Sequence, residues 1–462
     1  MEKIIRRIIS CIILLALLIF VLRKETVIME RKDSNYKYEP FFEHAKDMDV
    51  LFFGNSHVVN GIFPMELWDE YGITSYNFGG HANQIATTYW VMENALDYAK
   101  PKVVVVDCNQ LDSMLKTSDN FSYVHISFDA FPLSKTKIKA ANDLLNDPEI
   151  DRLREEGVLY DSEKRTKLGL LWDYSVYHSR WDELSQADFT DDKTIEYGAE
   201  SRVRIEDPIE GVPNEGDVIG NIDSNVGVNY LKKIIDSCRE QNIEVLLVYL
   251  PHPMENKERW KSVNTAAKIA EECNVKFINF QEKNIVDFDT DCYDSNSHLN
   301  PAGAWKVTNY LGQFLKDNYD VLDHRDDDNY DYWKQDYEEY ANYKSDRLND
   351  VLDINTYLML LQDPNYGFVI DMGDTWILDN SLAMRLLENK GVDINQLSED
   401  TRFIIVSDKG VSVVDDDSID ADKQGVLNKD AFCIEEGAIS INVFDKSDPK
   451  VLLNKRYFKN NP

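Results

Sequence analysis

Residues 51–63 read LFFGNSHVVNGIF: an apolar run stops at Gly54, and Asn55, Ser56 and His57 follow at once. A serine delivered at the end of a buried strand is placed to act as a nucleophile, provided a base removes its proton. His298 stands far along the chain, in a loop segment DCYDSNSHLNPAGA just ahead of a helical pattern. Two further strand ends carry polar groups, Asn77-Phe78-Gly79-Gly80 and Asp107-Cys108-Asn109. In an open parallel α/β sheet ligands bind beyond the carboxyl ends of the strands, so these residues would share one edge. Taken alone, Gly54-Asn55-Ser56 also suits a plain turn, with Asn55 or Ser56 capping the next helix.

The elements that must position these groups are legible as alternating patterns. DVLFFG, ITSYNF, PKVVVVDC, IEVLLVYL and VKFINF read as strands, most of them continuously apolar. Between them, HANQIATTYWVMENALDYAK, NVGVNYLKKIIDSCREQN, ERWKSVNTAAKIAEECN and NPAGAWKVTNYLGQFLKDN carry apolar residues at helical spacing. Strands alternating with helices predict an α/β domain over 49–320: a parallel sheet covered on both faces, in three layers. Residues 111–220 are less regular. Residues 321–345 are acidic and aromatic and read as a linker running into a helix. Beyond them, 346–462 predicts a smaller, mostly β accessory domain with two or three helices.

The chain has 462 residues, enough for two or three domains, and a formal net charge of -33. That charge argues against nucleic acid as a partner, because phosphate contacts need a basic surface. The first 24 residues hold the apolar run Ile8–Leu22, interrupted only by Ser10, with no small-residue cleavage site after it. An uncleaved signal anchor is predicted, followed by a polar tether over 25–48. Basic residues flank the run on both sides, so charge alone does not orient it. By analogy with signal anchors, the bulk of the chain is expected outside the cytoplasm. Six scattered cysteines without CxxC spacing imply neither a disulfide framework nor a metal site.

The blocks FFGNSH, NFGGHANQI and YDSNSHLNPAGAWKVTNYLG, in that order, resemble the SGNH hydrolase superfamily over roughly residues 49 to 318. The nearest likeness is to membrane-anchored members that O-acylate cell-surface polymers, including the teichoic-acid D-alanylation and alginate O-acetylation proteins. The segment YHSRW is also similar to such proteins, without an assigned role. The resemblance implies a flavodoxin-like three-layer sheet and an extracytoplasmic acyltransferase working through an acyl-Ser56 intermediate. It further implies a membrane-bound O-acyltransferase as partner, a cell-envelope polysaccharide as acceptor and no cofactor. A carbohydrate esterase with the same triad, or a non-catalytic envelope scaffold on that fold, are the alternatives.

Within this reading Ser56 is the nucleophile and His298 its base. The superfamily places its aspartate three residues before the histidine, where Ser295 stands here. Asp294 is the candidate orienting carboxylate, with Asp291 the alternative. The backbone N–H groups of Ser56 and of Gly79 or Gly80, and the Asn109 side chain, are candidate oxyanion donors. His57, Asn77 and His81 are candidate lining residues; His81 and His252, at predicted strand or helix ends, also have a plain structural reading. Two acidic stretches partly match calcium loops, Asp287-Asp289-Asp291 and Asp420-Asp422-Gly425, but Cys292 and Ala431 break their patterns, so both are expected to be solvated loops. The last hairpin segment, GAISINVFDKSDPKVLLNKRYF, faintly resembles the interleukin-like EMT inducer domain, linked with carbohydrate binding in some proteins.

Overall fold

The computed structural model describes residues 2–29, 32–159, 165–189, 195–207, 209–295, 298–415, 424–426 and 437–459. Asp420, Asp422, Ala431 and Cys433 lie outside the described residues. Five strands form a parallel sheet: β1 (Val50–Gly54), β2 (Ser75–Gly79), β3 (Val103–Asp107), β4 (Glu244–Tyr249) and β5 (Lys276–Asn279), in the order β2-β1-β3-β4-β5. Successive side chains on a strand point to opposite faces. Leu51, Phe53, Val104, Val106, Val245 and Leu247 enter one core, while Val50, Phe52, Val103, Val105, Leu246 and Val248 enter the other. Both faces are therefore dry, which is why the strands read as unbroken apolar runs. Helices Ile85–Leu96, Val226–Glu240 and Lys257–Cys273 supply the first core; Pro301–Asn318 supplies the second with Val307, Leu311 and Leu315. The strand order reverses direction between β1 and β3, which opens a crevice at their carboxyl ends.

A second sheet is antiparallel, with strands β6 (Tyr366–Met372), β7 (Phe403–Ser407), β8 (Gly410–Val414), β9 (Ile439–Asp445) and β10 (Leu452–Phe458) in the order β10-β9-β6-β7-β8. Helices Ile354–Leu360 and Ser381–Asn389 contribute to its separate core.

Two segments depart from the sequence expectation. The proposed tether is helical over Lys32–His44, and Tyr38 and Phe41 are buried, packing on Phe78 at 5.2 and 4.7 Å between ring centroids. Tyr38, Phe41, Phe42 and Ala45 recur at helical spacing inside an otherwise polar stretch, and that sparse stripe is enough to dock it. The acidic segment runs into a helix as expected, but that helix, Asp331–Arg347, takes up most of it and is docked: Trp333 and Tyr340 face the first core, and Asp336 accepts from the Tyr197 hydroxyl. Trp333 packs against Tyr197 and Trp68 at 4.4 and 5.4 Å.

Among the described residues, one helix, Glu2–Met29, is long and apolar enough to cross a membrane; the qualifying span is Lys3–Thr26, with none of it buried in the protein. A span of 24 residues covers about 36 Å at 1.5 Å per residue, more than the roughly 30 Å hydrocarbon core.

Candidate active site

β1 ends at Gly54 and the short helix Ser56–Gly61 starts two residues later. Gly54 does not have a left-handed backbone. It is glycine because a Cβ there would lie 2.6 Å from Val58 Cγ2 and 2.9 Å from Asp107 Cβ. The helix and the end of β3 thus close directly over β1. Asn55 is the N-cap: its side chain accepts from the His57 N–H at 3.0 Å. That leaves the Ser56 hydroxyl free to face the crevice.

Ser56 Oγ lies 2.7 Å from His298 Nε2, although 242 residues separate them. On the other side of the ring, Asp294 Oδ2 is 2.8 Å from His298 Nδ1, and Asp294 Oδ1 accepts the His298 N–H at 3.1 Å. The carboxylate holds both the ring and the backbone that carries it, which fixes Nδ1 as the protonated nitrogen and Nε2 as the acceptor.

Asp291 has other work. It pairs with Lys306 at 2.7 Å and accepts from Thr290 Oγ1 and the Asp287 N–H. Burial pushes its carboxyl up against the pull of Lys306. The loop closes through a Cys292–Leu299 bridge and a Tyr293 N–H to His298 carbonyl bond of 2.9 Å. Asn300 then caps helix Pro301–Asn318, accepting from Ala302 and Gly303 while donating to the Thr290 carbonyl at 2.8 Å. Gly303 is glycine because a Cβ would lie 2.6 Å from the Asp291 carbonyl oxygen. Asp287 and Asp289 stay at the surface, as expected of a solvated loop, and there Arg385 of helix Ser381–Asn389 pairs with both.

The glycine block positions rather than donates. Gly79 N–H gives its hydrogen to Asn77 Oδ1 at 2.9 Å, and Gly80 N–H to the Gly54 carbonyl at 3.1 Å. The expected oxyanion role of these two N–H groups is corrected: strand pairing and a side-chain cap consume both. A Cβ on Gly79 would meet Val59 N at 2.6 Å, so this glycine lets helix Ser56–Gly61 sit on β2. Asn77 does not line the crevice either. Its amide donates to the carbonyls of Val58 and Ile62 at 2.7 and 2.8 Å and braces that helix. The Ser56 N–H takes none of the bonds that occupy its neighbours. Asn83 Nδ2, a buried amide donor, lies over Gly80 without a protein partner.

Behind the serine is a stack of imidazoles. His57 packs face to face with His298 at 4.5 Å and with His252 at 4.6 Å, and Tyr293 closes the outer end at 5.6 Å from His298. His252 Nδ1 donates to the Pro253 carbonyl at 3.1 Å, so its Nε2 accepts from Asn109 Nδ2 at 3.0 Å. Asn109 Oδ1 in turn accepts from Arg259 Nη1 at 2.9 Å. Asn109 therefore anchors His252.

Burial, followed by repulsion from His252, His298 and Arg259, drives the His57 pKa well down. Burial lowers His252 to about 4. Both rings are neutral near pH 7. His57 Nδ1 is buried without a partner. Beneath them Asp107 accepts from the Leu250 N–H at 3.1 Å, and burial raises it to about 7. His81 sits apart, 3.5 Å from Glu200. The stacked nitrogens do not converge, and no three His, Cys, Asp or Glu side chains form a metal cluster among the described residues.

Compared with known proteins, the sequence matches no family model and has no significant match among curated proteins. Arg259 and Asn83 were missed in the sequence. Arg259 reaches Asn109 across 150 positions, a link that no local pattern signals. His252 carried one cue, its place in LPHPM just past the end of a buried strand.

Proposed function

We propose that this chain is a membrane-anchored serine acyl-transfer protein of SGNH type, with a flavodoxin-like catalytic domain, acting outside the cytoplasm on a cell-envelope polysaccharide. The Ser56–His298–Asp294 geometry carries the reading. In the first half-reaction Ser56 Oγ attacks the acyl carbonyl while its proton passes to His298 Nε2. The leaving alcohol then departs with that proton, leaving an acyl-Ser56 ester. In the second, an acceptor hydroxyl gives its proton to His298 Nε2 and attacks the ester, and Ser56 recovers its hydrogen. Asp294 stabilises the imidazolium formed in each half. Donors on the oxyanion contribute about 3–4 kcal/mol apiece to such barriers. The Ser56 N–H is one donor and Asn83 Nδ2 a candidate second.

The neutral His57 ring faces His298 where positive charge appears, so it shields the base from water without competing for the proton. The spanning helix supports an anchored location, where a membrane-bound O-acyltransferase would deliver acetyl groups at high effective concentration. The second domain would hold the polymer.

The test is intact mass of the detergent-solubilised full chain after exposure to an activated acetyl ester. An acetyl adduct on wild type, absent in Ser56→Ala with an unchanged circular dichroism spectrum, is expected. Identical behaviour of two folded proteins would overturn the catalytic reading. Added glycan then separates the two acceptors: loss of the adduct to sugar marks a transferase, and loss to water alone an esterase.

A further inference from the structure

Residues 167–189 take no part in that chemistry, yet they combine two features. They grip the foot of the spanning helix: Tyr174 Oη donates to Glu25 Oε2 at 3.1 Å, and Arg180 Nη1 donates to the Met29 carbonyl at 2.7 Å. They also expose large apolar side chains, with Leu168 at 59%, Trp172 at 44%, Trp181 at 61% and Phe189 at 65% of full exposure. Among the described residues, Trp172 and Trp181 are the two exposed tryptophans. The display is held in shape: Arg180 pairs with Asp188 at 3.0 Å, and Asp188 accepts the Ser185 N–H at 2.8 Å.

The position of this patch decides its partner. Glu25 lies in the last turn of the span Lys3–Thr26, and Met29 follows within one further turn, about 4.5 Å beyond Thr26. The segment that binds them must sit where the helix leaves the hydrocarbon. Tryptophan and tyrosine concentrate at that level because their rings are apolar while their N–H and O–H groups stay wet. Clustered exposed apolar groups on a protein surface mark an interaction site. The segment carries Lys167 and Arg180 against Asp173, Asp182, Glu183 and Asp188, so attraction to anionic lipid is not the driving force.

We propose that residues 168–189 form an aromatic collar that lies in the headgroup layer of the membrane crossed by helix Glu2–Met29. The collar and the helix foot together give two attachment points. They hold the body at one height and tilt, so the Ser56 crevice keeps a constant distance from the lipid surface. The inference rests on the spanning-helix reading and is independent of acyl transfer.

The experiment uses the full chain reconstituted, with no other protein, in phosphatidylcholine vesicles whose acyl chains are brominated near the glycerol. The spanning helix has no tryptophan, so quenching reports on the body. Quenching of wild-type emission is expected, unchanged by added salt. The double variant Trp172→Tyr, Trp181→Tyr should lose most of it while keeping its circular dichroism. Wild-type emission that is not quenched would overturn the collar, and iodide access to both tryptophans would then leave a membrane protein as the occupant. Quenching that survives the double variant would also overturn it, placing another face on the bilayer. Failure to reconstitute at all would remove the spanning helix itself, without touching the acyl-Ser56 test.

Discussion

Two buried polar clusters solve the cost of burial in opposite ways. Between the domains, Glu66 Oε1 accepts from Lys344 Nζ at 2.7 Å and from Tyr340 Oη at 2.9 Å, and Lys344 also meets Asp363 at 2.6 Å. Here the lysine holds its charge: Lys344 is driven further up by the two carboxylates even though burial opposes it, while burial pushes the Glu66 carboxyl up against the pull of Lys344. At the carboxyl end of the parallel sheet, His57 and His252 shed their charge instead. The ionic cluster is a fastener, since moving any member strands another. His298 lies between the two kinds of neighbour, with the neutral His57 ring on one face and the Asp294 carboxylate at 2.8 Å on Nδ1. In the proposed mechanism that single carboxylate meets the charge His298 would take up, and the stack adds no competing positive charge.

The sharpest way to break that contrast is Ser56→Ala. Acyl-enzyme formation should fall by ~10⁴-fold or more, with the thermal midpoint unchanged. Next comes a paired substitution. Asp294→Asn should cost ~10³–10⁴-fold in esterase rate with little loss of stability. Asp291→Asn should do the reverse, lowering the denaturant midpoint because Lys306, the Thr290 hydroxyl and the Asp287 N–H share a fully buried carboxylate that the amide cannot replace in all three contacts. If the two variants lose rate equally, the division between orienting and structural carboxylate fails.

Third, Lys344→Met should destabilise the protein by about 3–5 kcal/mol by stranding Glu66 and Asp363. Ester turnover measured below the transition should stay near wild type. A parallel loss of turnover would mean that the two clusters are coupled.

The smallest effect is on pH dependence. His252 titrates near 4 when folded and near 6.5 when unfolded. The unfolded chain therefore binds the extra proton between those values, and stability is lost as pH falls through that window. Asp107 titrates near 7 when folded and 3.8 when unfolded, so its contribution is lost as pH rises from 3.8 to 7. The two oppose each other. In Asp107→Asn the slope of stability against pH between 4 and 6.5 should steepen by about 1.4 kcal/mol per pH unit, read from denaturant melts. An unchanged slope would mean that Asp107 is ionised in the folded protein.

The parallel sheet was legible because both of its faces are dry, which forces unbroken apolar runs such as Val103–Val106. The pairing of a serine early in the chain with a late histidine was also legible, since both stand at element boundaries. The oxyanion donors were not. Whether the Gly79 N–H is free depends on Asn77 Oδ1, two residues away and on the same strand, and nothing in NFGG says which way that amide turns. Asp294 against Asp291 was undecidable for a similar reason: both sit within reach along the chain, and only the loop closed by Cys292 and Leu299 aims one at the ring. The helix Lys32–His44 was hidden by composition, its three buried-face aromatics outnumbered by charges.

The 242 residues between nucleophile and base also set a schedule. A ribosome adding about 5–20 residues per second needs roughly 12–50 s to pass from Ser56 to His298, and helix Pro301–Asn318 must follow before the histidine loop can seat. On the proposed mechanism the hydroxyl would have no base through that interval, and competence would arrive only once His298 and the helix behind it have been made.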